Sequence, residues 1–412
     1  MSNKVGISIS TNRKFTAKNI FLVYVLLFSL PYLVPEQFFL YKKVFSFPVH
    51  IAISIILFVV GWSAISLGGT IGQSIHLKFS QKVIKSSKFL YQSSRLFITI
   101  STIANFVLAL YIYKVGVGSQ DDLNLLDTKS AAAEQFGGFT FFTQLYLFFL
   151  PFYIKYSVEN KLSWKWKVLL LGVSLLVRSF FYGERVAIME YTVFTIVTLE
   201  YLSIIKISYK KIMLFMSVFI VFFIGAELSR QFYVQYVLTN SDIDTGFALQ
   251  WAIERYAAYY SDTTNKFYLV LQDGLFFNTS FYLHFFGQIF SKFGIQVSSG
   301  DFNLQAYGVS HDYVFNDFNN SGGITMFFLD FGYWAILFFV FIFLLFGMIH
   351  KFYVKRQGVF SLCVYPSFAL MVLDFPRVFY FYDTRILIPF MFFLAVIIVN
   401  MLVNRKEVQP IS

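Results

Sequence analysis

The chain has 412 residues, of which 57% are hydrophobic and 13% charged, with 56 Phe and 27 Tyr. A soluble domain carries roughly a quarter charged residues, so the composition excludes a soluble enzyme and points to an integral membrane protein. The net charge of +11 would suit a nucleic-acid surface, but its distribution assigns it to membrane orientation, and no nucleic-acid partner is expected.

Apolar runs long enough to cross about 30 Å of hydrocarbon begin near Ile20, Val49, Leu96, Gly138, Val168, Val186, Ile212, Ile324, Val359 and Ile386, which gives about 10 transmembrane helices. The first run has no small-residue cleavage site behind it and is expected to remain as a span. Of the 33 Lys and Arg, 21 then fall in segments on the side of the N-terminus. The contrast is plain between "HLKFSQKVIKSSKFLYQSSR" and "GSQDDLNLLDTKSAAAEQFGG". The positive-inside rule places both termini in the cytoplasm. The single Cys363, in an apolar run, excludes internal disulfides.

Residues 227–323 break the rhythm of short loops and read as one large extracytoplasmic loop with amphipathic helices, within a single polytopic domain spanning 1–412. Within it, "TGFALQWAIERYAAYYSDTTNKFYLVLQDG" spaces apolar and aromatic residues at helical intervals. "NTSFYLHFFGQIFSKFG" suits a helix at the membrane interface. The following "SSGDFNLQAYGVSHDYVFNDFNNSGG" reads as irregular polar loop.

The stretch "RSFFYGER" places Arg178 and Arg185 in the outer turn between the fifth and sixth spans. Two readings stand: the arginines snorkel or pair with Glu184 and Glu190, or they bind phosphate, whose oxygens match the guanidinium fork. Arg230, Arg255, Arg377 and Arg385 also fall on the outer face, whereas Lys dominates the inner one. Charge alone does not need that choice of side chain; bidentate oxyanion binding does.

For a general base, His311 in "GVSHDYVFNDFNN" lies beside Asp312 in a polar setting, with a solvated loop histidine as the plainer reading. Glu254 and Asp317 are the other candidates, while Asn319 and Asn320 either bind sugar hydroxyls or make turns. Asp330 is expected about 9 Å into the eighth span, where it needs a cationic partner. No Walker A loop, HExxH, EF-hand or GxSxG motif is present, nor an acid-rich outer motif for Mg²⁺. A phosphate ligand would be held by arginine, with no metal and no cofactor.

The topology, together with "ERYAAYYSDTTNKF", "FNDFNNSGGITMFFLDFGYWA" and the arginine-bearing turn, resembles the O-antigen polymerases, the Wzy-type oligosaccharide repeat-unit polymerases. The resemblance implies an all-α, glycosyltransferase C-like fold in the bacterial cytoplasmic (inner) membrane, active on its extracytoplasmic face. It implies transfer of a growing glycan from undecaprenyl pyrophosphate to the non-reducing end of a lipid-linked repeat unit. The implied partners are the undecaprenyl pyrophosphate-linked oligosaccharide, membrane lipid and a chain-length regulator protein. The family's functional outer-loop arginines carry over to Arg178, Arg185, Arg230, Arg255, Arg377 and Arg385, without a strict arginine-to-glycine spacing to fix their roles. A flippase for the same lipid is the alternative, disfavoured by unlike halves. A sugar O-acyltransferase ranks third, because the first span has no His.

Overall fold

The computed structural model describes residues 15–33, 43–75, 88–118, 140–182, 186–206, 245–273, 322–355, 358–377, 380 and 384–407, with scattered positions between 208 and 228. The elements among them are all helical, with no strand among the described residues. In chain order they are α1 (Ala17–Leu33), α2 (Phe47–Ser74), α3 (Lys88–Gly118), a 3₁₀ turn (Thr140–Gln144), α4 (Tyr146–Glu159), α5 (Lys165–Tyr182) and α6 (Val186–Tyr201). There follow α7 (Thr245–Asp273), α8 (Gly323–Phe331), a second 3₁₀ turn (Gly332–Trp334), α9 (Ala335–Val354), α10 (Gly358–Leu373) and α11 (Thr384–Glu407).

Four stretches are long and apolar enough to cross a membrane: Phe47–Ser74, Lys88–Ile112, Gly332–Val354 and Arg385–Leu402. Shorter apolar stretches cover Ala17–Leu30 and Val359–Leu373. Side chains such as Leu30, Ile55, Leu110 and Leu337 face outward, while Tyr24, Tyr146 and Tyr268 are buried. Apolar outside and aromatic, partly polar inside is the make-up of an all-α membrane protein, since a helix satisfies its own backbone in lipid.

The bundle is organised around α4 and α10. From Tyr146 to Ile154 every residue of α4 is buried, as expected of a helix apolar all round. It packs against α3, α6, α10 and α11, and α10 in turn against α1, α6 and α9.

α2 packs at close range along α9. The buried positions of α2 include Ser54, Leu57, Gly61, Ala64, Gly68 and Gly72, one stripe at intervals of three and four. A Cβ at Gly68 would clash with the Leu344 carbonyl, and one at Gly347 with the Ile65 carbonyl. The two glycines thus let each backbone seat against the other, and small residues serve this purpose in membrane helices. Gly68→Leu should therefore prise α2 from α9 and destabilise the protein by about 1–3 kcal/mol or more. Thermal unfolding in detergent measures this, with Gly69→Leu as control, because nothing lies near a Cβ at that position.

The helix expected over "TGFALQWAIERYAAYYSDTTNKFYLVLQDG" is present as α7. The span expected from Ile324 is not one helix. It stops at Phe331 after nine residues, because Gly332 at φ 54 turns the chain out of α8 before α9 begins. Asp330 sits at that break, one residue before the end of α8. The run expected at Ile212 and the interfacial segment "NTSFYLHFFGQIFSKFG" fall mostly or wholly outside the described residues.

Candidate functional site

The connection between α10 and α11 carries a compact polar network among the described residues. Asp374, 2% exposed, accepts from Arg377 Nε at 2.8 Å and from the Tyr380 hydroxyl at 2.9 Å. Arg377 Nη2 completes the fork on the other carboxylate oxygen, and the local turn closes by Arg377 N donating to Asp374 O at 2.9 Å. A bidentate Arg–carboxylate pair of this kind is geometrically specific as well as strong. Burial, then the Asp374 carboxylate, push the Tyr380 phenol well above its ordinary value, so it remains a donor. The charges of Glu190 on α6 and Arg385 at the start of α11 also act on Tyr380. Charges on α6, on α11 and in the connection therefore all bear on one phenol.

The entry to α8 is fastened to this connection through its backbone. Gly322 N donates to Arg377 O at 3.1 Å and Gly323 N to Phe375 O at 2.8 Å. Gly322 has φ +77, and a Cβ there would stand 2.9 Å from Pro376 O and 3.3 Å from Thr263 Cβ. Only glycine meets both demands without strain.

Thr263 belongs to a polar run in α7, Ser261 to Lys266, that is buried throughout. Lys266 Nζ pairs with Asp262 Oδ2 at 2.7 Å. Asn265 Oδ1 accepts from the Tyr32 hydroxyl at 3.1 Å and from Val44 N at 3.0 Å. One helical turn on, Tyr268 Oη lies 2.5 Å from His50 Nδ1, whose Nε2 faces the Ser29 carbonyl at 3.1 Å. A carbonyl can only accept, so Nε2 carries the ring proton and Nδ1 accepts from Tyr268. His50 is thereby a buried structural link between α1, α2 and α7.

Arg178 lies within α5, four residues from its end, and is 2% exposed. Its Nη1 donates to Thr143 Oγ1 at 2.8 Å and Asn105 Oδ1 at 3.1 Å, neither of them a carboxylate. Asn105 Nδ2 binds the carbonyls of Ser101 and Thr143, which holds the Thr140–Gln144 turn against α3. Tyr146 links this cluster to α6, its hydroxyl donating to Ala187 O at 3.4 Å, one turn from Glu190.

Of the residues singled out from the sequence, Arg377 lies 3.4 Å from the Tyr380 hydroxyl, the charge of Arg385 acts on that phenol, and Arg178 lies in the cluster linked through Tyr146. Glu254 is on α7, in contact with Gln250 at 2.7 Å on an exposed face. Arg255 and Asp330 lie in α7 and α8 respectively. Arg185, Arg230, Glu184, His311, Asp317, Asn319 and Asn320 fall outside the described residues. Sequence reasoning missed Asp374, Tyr380, Asn105 and the Asp262–Lys266 pair. The D-x-x-R spacing of Asp374 and Arg377 and the i, i+4 spacing of Asp262 and Lys266 were readable local signals, whereas the role of Asn105 depends on partners in other elements. Among the described residues, no three His, Cys, Asp or Glu side chains group as metal ligands. The chain matches no protein-family model, no curated protein and no solved structure.

Proposed function

We propose that this chain is a glycosyltransferase that polymerises lipid-linked oligosaccharide repeat units, of the O-antigen polymerase type. The observation that carries the reading is a convergence. The stretches "ERYAAYYSDTTNKF" and "FNDFNNSGGITMFFLDFGYWA" are separate in sequence, yet Thr263 of one packs on Gly322 of the other, and Gly322 is fastened to Arg377. The three stretches thus adjoin one another at a cluster of cationic and acidic side chains.

In this reading about ten helices span the bacterial cytoplasmic membrane, both termini are cytoplasmic, and residues 227–323 lie on the outer face in a glycosyltransferase C-like arrangement. The hydroxyl at the non-reducing end of one repeat unit attacks the anomeric carbon of a glycan carried on undecaprenyl pyrophosphate. A glycosidic C–O bond forms and the bond to the pyrophosphate oxygen breaks. The hydroxyl proton passes to a base, for which His311, Glu254 and Asp317 are the candidates. Arg178, Arg377 and Arg385 stabilise the charge that develops on the leaving pyrophosphate, as preorganised cations do. Glu190, Asp374 and Tyr380 orient those cations.

Purified protein in lipid vesicles, supplied with lipid-linked repeat units and a chelator, should yield a ladder of extended glycans and free undecaprenyl pyrophosphate. Movement of the lipid across the bilayer without extension would instead make the protein a flippase. A strict requirement for a divalent cation would overturn the assignment of the pyrophosphate to arginine.

A further inference from the structure

About 16 Å along α5 from Arg178, at 1.5 Å per residue, a second cationic feature stands apart from the site above and is independent of the proposed polymerase. α5 opens with Lys165, Trp166 and Lys167. Lys167 Nζ donates to Thr99 Oγ1 of α3 at 3.4 Å, and Thr99 lies one turn beyond Arg95 on the same exposed stripe. Arg95 and Lys167 are close enough for their charges to repel each other. Among the described residues neither is paired with an acid. Lys165 and Lys167 also sit at the positive end of the α5 dipole, where a cation is disfavoured. The mutual repulsion of the cations and the helix dipole are both unfavourable here until an anion is added.

We propose that Arg95, Lys167 and Thr99 form a binding site for the headgroup phosphate of an anionic phospholipid. Arg95 and Lys167 count toward the charge that orients the chain, but orientation needs only positive charge near the span ends. It does not require cations from two helices to converge on one seam. The surroundings select a lipid over free phosphate. Trp166 is 74% exposed beside Lys167, as an anchor at headgroup depth would be. Farther along the same two helices, Ile103 and Leu170 are 57% and 48% exposed and offer an apolar track for an acyl chain. The guanidinium supplies a fork for two phosphate oxygens and the ammonium a point charge, while the Thr99 hydroxyl, donating to Arg95 O at 2.9 Å and accepting from Lys167, ties the two cations to one seam.

The test is native mass spectrometry of the full-length protein in detergent, titrated with dioleoylphosphatidylglycerol, dioleoylphosphatidylcholine or inorganic phosphate. Phosphatidylglycerol should remain bound, and Arg95→Gln with Lys167→Gln should weaken it about thirty-fold, from the usual contribution of a cation near an anionic surface. Lys161→Gln, at an exposed turn, should leave binding unchanged. Arg95→Lys with Lys167→Arg keeps both charges and should retain most of the affinity, which separates loss of the site from loss of the fold. Unchanged phosphatidylglycerol binding in the double Gln variant overturns the site. Equal binding of phosphatidylcholine overturns the role of charge, and displacement of the lipid by equimolar inorganic phosphate overturns its assignment to a lipid.

Discussion

Cells carrying Arg178→Lys should display surface glycan one repeat unit long, with chain extension reduced by about 10²-fold. Nη1 of Arg178 donates to both Asn105 and Thr143. That grip sets the orientation of the whole planar group, which a lysine ammonium on its flexible stem does not reproduce. A charge-assisted hydrogen bond is worth about 1.5–3 kcal/mol, and one that tightens on the departing pyrophosphate appears in full in the rate. Glycan length on gels, read at matched protein level, checks the result. Long chains in the variant would assign Arg178 to the scaffold, and failure of even the single unit to reach the surface would point to transport. Asn105→Ala should shift chain length the same way but less, since it removes one acceptor of Nη1 and leaves Thr143 in place.

Asp374→Ala should be the most destabilising single change in the α10–α11 connection, by about 3–5 kcal/mol. The carboxylate is buried and accepts from Arg377 and Tyr380 together. Its removal leaves the partly buried Arg377 guanidinium and the buried Tyr380 phenol without that acceptor. The backbone bonds from Gly322 and Gly323 end on Arg377 and Phe375, so the entry to α8 should loosen as well. Asp374→Asn keeps the shape and one acceptor and should cost less. The double variant Asp374→Leu with Arg377→Met should recover much of the lost stability, because removing a buried pair together costs far less than breaking it. Chain extension should stay absent in it. Thermal unfolding in detergent alongside the polymerisation assay separates the two effects. Equal stability of Asp374→Ala and the native protein would mean that water reaches the pair and the network is not closed.

The long helices were legible because hydropathy and spacing are local properties, and α7 was readable from the same spacing despite its mixed composition. What its sequence concealed was the fate of Ser261 to Lys266. Six polar residues in a row read as solvent-facing, yet all are buried, and the partners of Asn265 lie at Tyr32 and Val44. Nothing within a window of a few turns announces a hydrogen bond to a residue more than two hundred positions away. Arg178 illustrates the same point: Glu184 and Glu190 were the nearby partners to consider, whereas Asn105 and Thr143 come from other elements. The break at Gly332 escaped for a different reason. A hydropathy average passes straight through a glycine, although a single positive φ is enough to end a helix.

The ties from Asn265 to Tyr32 and Val44 also impose an order on biogenesis. The chain between α1 and α2 leaves the ribosome about 220 residues before Asn265, or roughly 10–45 s earlier at common synthesis rates. During that interval the Tyr32 hydroxyl and the Val44 amide are already made, but the Asn265 acceptor that joins them in the finished protein is not. The first helical hairpin is therefore delivered to the membrane with polar groups whose final partner is still being translated. A nascent protein stalled before α7 should be a preferred target of membrane proteolysis, and completion of α7 is the step that releases it from that surveillance.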